Sequence, residues 1–287
     1  MIAAVMAVTG KAILLPSIVG LAGLGVVFGA ALAIASKKFK VEVDPRVEEI
    51  TDLLPGVNCG VCGFPGCSAY AEALVKGIVD IGLCPASSSE VTARIAGLLG
   101  KEAGAKEKKV AFLHCAGGKV AKRRFVYDGI QTCAAASLIG GGGLGCEFGC
   151  LALYDCVRAC PFDAIEIDDM GMPRVNPKKC TGCGICVAAC ARDLAELVPA
   201  NKTVLVACSN IERGKFVRLV CKIGCIGCFK CVKTCKQEAI EMRMGLAVID
   251  CEKCTVCGEC VEVCPKKIIR NFGEVAVSAA LREEKVA

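Results

Sequence analysis

The chain has 287 residues, of which 25 are cysteine and one is histidine, with no tryptophan and a formal net charge of +6. An odd cysteine count cannot pair completely, and a chain long enough for two or three domains is not a small secreted scaffold, so a disulfide framework is set aside in favour of metal. The charge is modest and dispersed and there are only three tyrosines, which excludes a nucleic-acid groove built from basic residues and stacking aromatics.

Residues 12 to 36, AILLPSIVGLAGLGVVFGAALAIAS, run from Lys11 to Lys37 without a charge. About 20 apolar residues cross a hydrocarbon core as a helix, so this is expected to be a single span. Its glycines and alanines suit close packing against other transmembrane helices. A signal peptide is the competing reading, encouraged by Ala33, Ile34 and Ala35. The apolar stretch is longer than such a signal needs, however, and no basic cluster precedes it. The flank SKKFK, residues 36 to 40, is basic in the way of cytoplasmic flanks. The large carboxyl-terminal part is therefore expected on the cytoplasmic side, where thiolates bind metal instead of pairing.

After this membrane anchor (1–40), residues 41–100 read as a small helical cysteine domain. Asp44 and Pro45 form an N-cap and first turn, and Val47, Ile50, Leu53 and Leu54 give an apolar helical stripe. NCGVCGFPGC follows at residues 58 to 67, with Cys84 further on. Ala71, Leu74, Val75 and Ile78 recur at helical spacing, as do Val91, Ile95, Leu98 and Leu99 after a serine run at 87 to 89 that reads as a cap. The charged, glycine-containing stretch at 100 to 109 reads as a linker, and residues 101–145 as a linker and lead-in.

The carboxyl-terminal half repeats itself: residues 156 to 190 align with residues 231 to 264. Three rows have the spacing Cys-x2-Cys-x2-Cys-x3-Cys: Cys180, Cys183, Cys186, Cys190; Cys225, Cys228, Cys231, Cys235; and Cys254, Cys257, Cys260, Cys264. This is the bacterial ferredoxin run, in which three thiolates on one tight loop hold three corners of a cuboidal cluster and the fourth reaches the neighbouring cluster. Thr181, Gly182 and Gly184, or Thr255, Val256 and Gly258, let backbone N–H groups turn toward the sulfurs. Zinc is the rival metal, but it needs only four ligands and these rows exceed that demand. Histidine is nearly absent, and Cys160 and Cys264 are followed by proline as in ferredoxins. The first row departs from the rule, with Cys146, Cys150, Cys156 and Cys160 spaced x3, x5 and x3. Crossing the rows gives four sets: Cys146, Cys150, Cys156 and Cys190; Cys160, Cys180, Cys183 and Cys186; Cys225, Cys228, Cys231 and Cys264; and Cys235, Cys254, Cys257 and Cys260. Ala191 and Lys236 stand where ferredoxins commonly carry proline.

The span, NCGVCGFPGC with Cys84, and the two ferredoxin-like modules together resemble the RnfB family over essentially the whole chain. The resemblance implies the cluster-bearing component of a membrane Rnf complex, a ferredoxin to NAD oxidoreductase coupled to pumping of sodium ions or protons. It also implies a further 4Fe-4S cluster on Cys59, Cys62, Cys67 and Cys84, its loop kept tight by Gly60, Gly63 and Gly66. The expected fold class is α+β: one N-terminal transmembrane helix, a small helical 4Fe-4S domain, and two tandem ferredoxin-like modules at 146–200 and 221–270, joined by a connector at 201–220 and followed by a tail at 271–287. Five 4Fe-4S clusters use twenty cysteines and leave Cys115, Cys133, Cys208, Cys221 and Cys251, read as small buried residues, with Cys221 and Cys251 near enough to the rows to substitute for a ligand.

SLIGGGGLGC contains a formal Gly-x-Gly-x-x-Gly from Gly140, but a dinucleotide fingerprint needs a preceding strand and a distant acid. With one histidine, no Ser/His/Asp group can be assembled, so no bond-making catalytic site is expected. The implied partners are soluble ferredoxin as electron donor, the other subunits of the complex and the lipid bilayer, in a bacterial inner membrane. Lys178, Lys179, Lys222, Lys230 and Lys233 either steer an acidic donor or offset cluster charge. The alternative function is a membrane-tethered iron-sulfur regulator, or a reducer of a redox-sensing regulator; paired modules favour a wire over a sensor.

Overall fold

A single helix, α1 (Ile2–Lys38), opens the chain. Its stretch Ile18–Lys38 has a mean hydropathy of 2.4 and is long and apolar enough to cross a membrane. Leu21, Val26, Phe28 and Leu32 are exposed on it, as a lipid-facing helix requires. The structure is a computed structural model that describes residues 2–38, 44–101 and 107–273. Phe39 and Lys40 of the basic flank, residues 102–106 of the expected linker and residues 274–287 of the tail lie outside the described residues. The chain divides into two units, Met1–Glu48 and Glu49–Ala287.

The helices expected before residue 100 are present for the reasons their sequence supplies. In α2 (Pro45–Leu53) the Asp44 carboxylate accepts the Arg46 N–H at 3.0 Å, a side-chain cap on an otherwise unpaired donor. α3 (Cys67–Val75) buries Tyr70, Ala71, Ala73 and Leu74. α4 (Ser89–Leu99) is capped by Ser88, whose hydroxyl accepts the Val91 N–H, and it ends at Gly100 in the left-handed region.

The remainder builds the same small motif twice. The first copy runs β1 (Lys109–Leu113), α5 (Cys133–Leu138), α6 (Asp155–Arg158), β2 (Ile165–Ile167), β3 (Pro173–Val175), α7 (Ile185–Ala188) and β4 (Ala195–Pro199). The second runs β5 (Val204–Val206), α8 (Gly214–Val220), α9 (Lys230–Thr234), β6 (Ile240–Arg243), β7 (Leu246–Ile249), α10 (Glu259–Glu262) and β8 (Ile269–Asn271). In each copy an inner antiparallel hairpin, β2–β3 or β6–β7, lies between the cysteine rows, and an outer antiparallel pair, β1–β4 or β5–β8, closes the ends. The closing strands β1 and β5 fall in the stretches 101–145 and 201–220 expected to be lead-in and connector. Each copy therefore starts well before its first cysteine row. Such a strand carries no signal in cysteine spacing; it is recruited by pairing, with Val110 opposite Val198 and Val206 opposite Ile269.

One apolar core serves both copies: Val110, Phe112, Ile165, Val198, Val206, Ile240 and Ile269 belong to a single buried cluster. Each such side chain stabilises the fold by about 1.5–3 kcal/mol through its burial. His114 ties the copies at their junction, its Nδ1 lying 2.9 Å from the Val206 carbonyl, while the Ser209 hydroxyl donates to the His114 carbonyl at 3.0 Å.

Candidate metal centres

The cysteine rows sit on loops whose backbone is bent the same way each time. Two residues past the first cysteine of a row the chain enters the left-handed region: Gly182 at φ +71°, Gly227 at +63° and Val256 at +60°. It does so again one residue past the second cysteine, at Gly184 (+83°), Phe229 (+60°) and Gly258 (+83°). Glycine adopts this region freely, whereas Val256 and Phe229 hold it against a steric cost. The result is a loop that turns backbone N–H groups inward. The Val256 N–H donates to Cys254 Sγ at 3.5 Å, the Ala111 N–H to Cys180 Sγ at 3.4 Å, and after the rows the Ala164 and Leu194 N–H groups donate to Cys160 and Cys190 Sγ at 3.4 and 3.3 Å.

These loops enclose cavities. Cys160, Cys180, Cys183 and Cys186 line one of about 320 Å³. Cys225, Cys228, Cys231 and Cys264 line another of about 360 Å³, and Cys235, Cys254, Cys257 and Cys260 a third of about 350 Å³. Each set takes three cysteines from one row and the fourth from the end of the row paired with it. Among the described residues no group of three or more potential ligands converges closely enough for a single ion. Four sulfurs spread around a cavity, with N–H donors aimed at them, fit a polyatomic anionic sulfide cluster. Burial pushes the metal-free thiols up, Cys186 to about 12 and Cys231 and Cys260 to about 11, with neighbouring thiolates adding to the shift. The chain thus assembles sulfurs that a metal must deprotonate.

The first row differs. Its loop has the same two left-handed positions, Ala152 (φ +55°) and Tyr154 (φ +66°), after Cys150. Turn for turn, Leu153 stands where the regular rows carry their middle cysteine, Cys228 for instance. The x5 gap between Cys150 and Cys156 is therefore an ordinary x2, x2 row with one ligand replaced. Cys156 lies beside Cys190 and Cys133, and Cys150 beside Cys115, Cys156 and Cys133. Cys133 begins α5, held by the Asp155 carboxylate, which accepts the Cys133 N–H at 2.7 Å. Cys146, grouped by its sequence position with Cys150, Cys156 and Cys190, lines one cavity with Cys150 and also with Cys115, Cys208 and Cys221. Gly140–Gly143 follows the helix α5, not a strand, so the dinucleotide context is missing there.

In the small helical domain, Asn58 (φ +50°), Gly60 (φ +72°) and Gly63 (φ +85°) shape the loop of Cys59, Cys62 and Cys67. The Asn58 side chain accepts the Cys67 N–H at 2.8 Å. A Cβ on Gly66 would stand 3.0 Å from that same Asn58 oxygen, which explains the glycine. Tyr70, buried, lies against Cys84 and Cys62, its hydroxyl meeting the Leu83 and Cys84 backbone. The loop and the distant Cys84 thus meet on α3.

Residues 54–86 match a family described as "Putative Fe-S cluster", and residues 145–194 and 224–268 both match the 4Fe-4S dicluster domain. Fold and sites together define an iron-sulfur protein of ferredoxin-type modules, with one apolar helix that fits association with a membrane. The chain is 45% identical, over 94% of its length and 81% of the relative's, to the B subunit of the Na(+)-translocating ferredoxin:NAD(+) oxidoreductase complex of Acetobacterium woodii. It is 43% identical, over 90% and 98%, to the B subunit of an ion-translocating oxidoreductase complex of Methanosarcina acetivorans. A third relative, the B subunit of the proton-translocating ferredoxin:NAD(+) oxidoreductase complex of Clostridium ljungdahlii, is 40% identical over 86% and 88%. The chain belongs to this family of B subunits of ion-translocating oxidoreductase complexes.

Proposed function

We propose that the chain accepts electrons from reduced soluble ferredoxin and relays them through 4Fe-4S clusters toward the membrane redox subunits of its complex and NAD. The observation that carries the reading is the crossed set of cavities, each ringed by cysteines from two rows, which couples neighbouring sites through one short helix. Four ligand sets follow: Cys59, Cys62, Cys67 and Cys84; Cys160, Cys180, Cys183 and Cys186; Cys225, Cys228, Cys231 and Cys264; and Cys235, Cys254, Cys257 and Cys260. The fifth uses Cys150 and Cys156 of the irregular row with Cys190 from the end of the row paired with it. A bound cluster supplies reversible one-electron reduction without bond making. The chain's residues hold the sulfurs, direct N–H dipoles at them and exclude water, and no side chain serves as a bond-making catalyst. Helix α1 anchors the assembly as a single pass in the bilayer of the inner membrane, with the cluster domains on the cytoplasmic side.

Cys228 and Cys257 are exposed, whereas Cys180, Cys186, Cys225, Cys231 and Cys260 are buried. Electrons therefore enter or leave most readily at the second module. Lys230 and Lys233, exposed on α9 beside Cys228, give that place a positive surface, while Lys179 is offset by Glu166 at 3.2 Å and Lys236 by Glu259 at 2.8 Å. An acidic donor is drawn to unneutralised lysines by long-range attraction that salt screens. Stopped-flow reduction of the holoprotein by reduced ferredoxin should slow as ionic strength rises. The Lys230→Glu/Lys233→Glu double variant should slow it about tenfold at low salt and flatten the salt response. A flat response in the unmodified chain removes the steering, and no reduction by ferredoxin removes the donor.

A further inference from the structure

The cysteines left over by the five-cluster reading are not scattered. Cys115, Cys208 and Cys221, together with Cys146, line a cavity of about 410 Å³ at the junction of the two modules, as large as those enclosed by the regular rows. Cys115 lies beside Cys146 and Cys221, and Cys208 beside Cys115. Cys115, Cys146 and Cys221 are 7–9% exposed.

The arrangement has the internal symmetry of the repeat. Cys115 stands two residues after strand β1, and Cys208 two residues after β5. Cys146 precedes Cys150 as Cys221 precedes Cys225, with three residues between and glycine, Gly149 or Gly224, as the last of the three. Each module thus contributes one cysteine two residues past its closing strand and one four residues ahead of its first cysteine row. The hydrogen bonds repeat too: the Cys150 N–H donates to Cys115 Sγ at 3.4 Å, and the Cys225 N–H to Cys208 Sγ at 3.4 Å. Gly117 donates to Cys115 Sγ at 3.5 Å, and the buried Asn210 side-chain amide to Cys146 Sγ at 3.2 Å. A Cβ on Gly117 would stand 3.6 Å from the Cys115 sulfur and 3.8 Å from that of Cys221. A bare backbone beside two sulfurs, with donors aimed at three of the four, is how the regular sites are built. Cys150 lines the same cavity, but its own sulfur accepts the Ala152 N–H at 3.4 Å inside the first row's turn.

We propose that Cys115, Cys146, Cys208 and Cys221 hold a sixth 4Fe-4S cluster across the junction of the two modules, and that Cys133 replaces Cys146 as the fourth ligand of the first module's cluster with Cys150, Cys156 and Cys190. This rests on the cluster reading above. Twenty-four cysteines are then ligands and Cys251 alone is not. The new site touches both modules through the backbone of one of their own ligands, Cys150 on one side and Cys225 on the other. A cluster held there would stand between the two modules' own sites, and would take one electron from a reduced cluster of one and give it to an oxidised cluster of the other, with no bond formed or broken.

The test is iron, acid-labile sulfide and zinc per chain in the anaerobically purified full-length protein. About 24 irons with as many sulfides are expected, against about 20 for five clusters. C208A should lose about four irons, C146A/C208A no more than that because both belong to one site, and C133A/C208A about eight; C251A should lose none. About 20 irons in the unmodified chain, or C208A matching it, overturns the junction site and leaves five clusters standing. Zinc with four cysteines at the junction overturns it equally. Joint loss of about eight irons in C146A/C208A overturns the reassignment of Cys146. Iron near zero in the unmodified chain overturns the cluster reading as a whole, and the unmodified count decides even where a variant fails to fold.

Discussion

The two ferredoxin-type modules share a backbone but not a ligand pattern. The second is regular throughout, with Cys225, Cys228, Cys231 and Cys235 followed by Cys254, Cys257, Cys260 and Cys264. In the first, the opening row keeps both left-handed turn positions, at Ala152 and Tyr154, yet carries Leu153 where a cysteine is due. Helix α5, whose counterpart α8 in the second module carries no cysteine, brings Cys133 to the site from seventeen residues before Cys150. The difference teaches that the turn, not the cysteine spacing, is what the fold preserves. Once the backbone is shaped to surround a cluster, one thiolate can be supplied from another segment, provided something fixes that segment. Here the Asp155 carboxylate does so by accepting the N–H groups of Cys133 and Ala134 at 2.7 and 3.3 Å.

The comparison breaks most sharply if the modules are made alike. Cys133→Ala should remove one cluster, about four irons, and Leu153→Cys in that background should restore them by completing a regular row. Iron analysis and low-temperature EPR read both, and failure of Leu153→Cys to rescue would mean that the shared turn does not define the site.

Protons act on the two modules alike. Burial holds ligand thiols of both modules up, Cys150 and Cys186 at about 12 and Cys156, Cys231 and Cys260 at about 11, all above the ordinary thiol value of 9.0. Because these values are raised, protons compete with iron throughout the neutral range, and cluster retention falls as pH falls. Chelator-driven iron loss should therefore speed up on acidification in both modules alike. Mössbauer or EPR spectra at stepped pH check it, and loss that speeds up as pH rises would contradict it. In the metal-stripped chain the same upward shifts stabilise the fold fully below pH 9.0, and that contribution is lost as pH rises through 11 to 12.

The smallest effect compares two equivalent turn positions. Val256 shows that a side chain is tolerated at φ +60°, whereas a Cβ on Gly182, at φ +71°, would stand 2.4 Å from the Lys109 carbonyl oxygen. Gly182→Ala should cost about 1–3 kcal/mol by overpacking β1, while Val256→Ala should cost less; denaturant unfolding of the holoprotein measures both.

Much of this was legible in the residues. The apolar run gave α1, the helical stripes gave α2 to α4 except that Ile78 falls beyond α3 and is exposed, and Ser88 capped α4 within the serine run where a cap was expected. The regular rows and their crossing grouped Cys160 with Cys180, Cys183 and Cys186, and Cys264 with Cys225, Cys228 and Cys231, as the cavities do. What escaped was everything delivered over long range. Strands β1 and β5 are short apolar stretches whose role depends on distant partners, and Cys115, Cys133 and Cys208 carry no row spacing. One signal was available: extending the repeat alignment back from Cys156 and Cys231 pairs Cys146 with Cys221, Leu153 with Cys228 and, across an insertion in the first module, Cys115 with Cys208. That extension turns leftover cysteines into equivalents of one another.

The central claim, a continuous relay across both modules, is tested most directly by low-temperature EPR of the fully reduced full-length protein. The account predicts spin-coupled spectra joining the clusters of the two modules, with the coupling between them lost in Cys115→Ala/Cys208→Ala while the remaining clusters persist. Spectra that are a plain sum of isolated pairs in the unmodified chain would contradict the junction, and zinc without labile sulfide would contradict the relay.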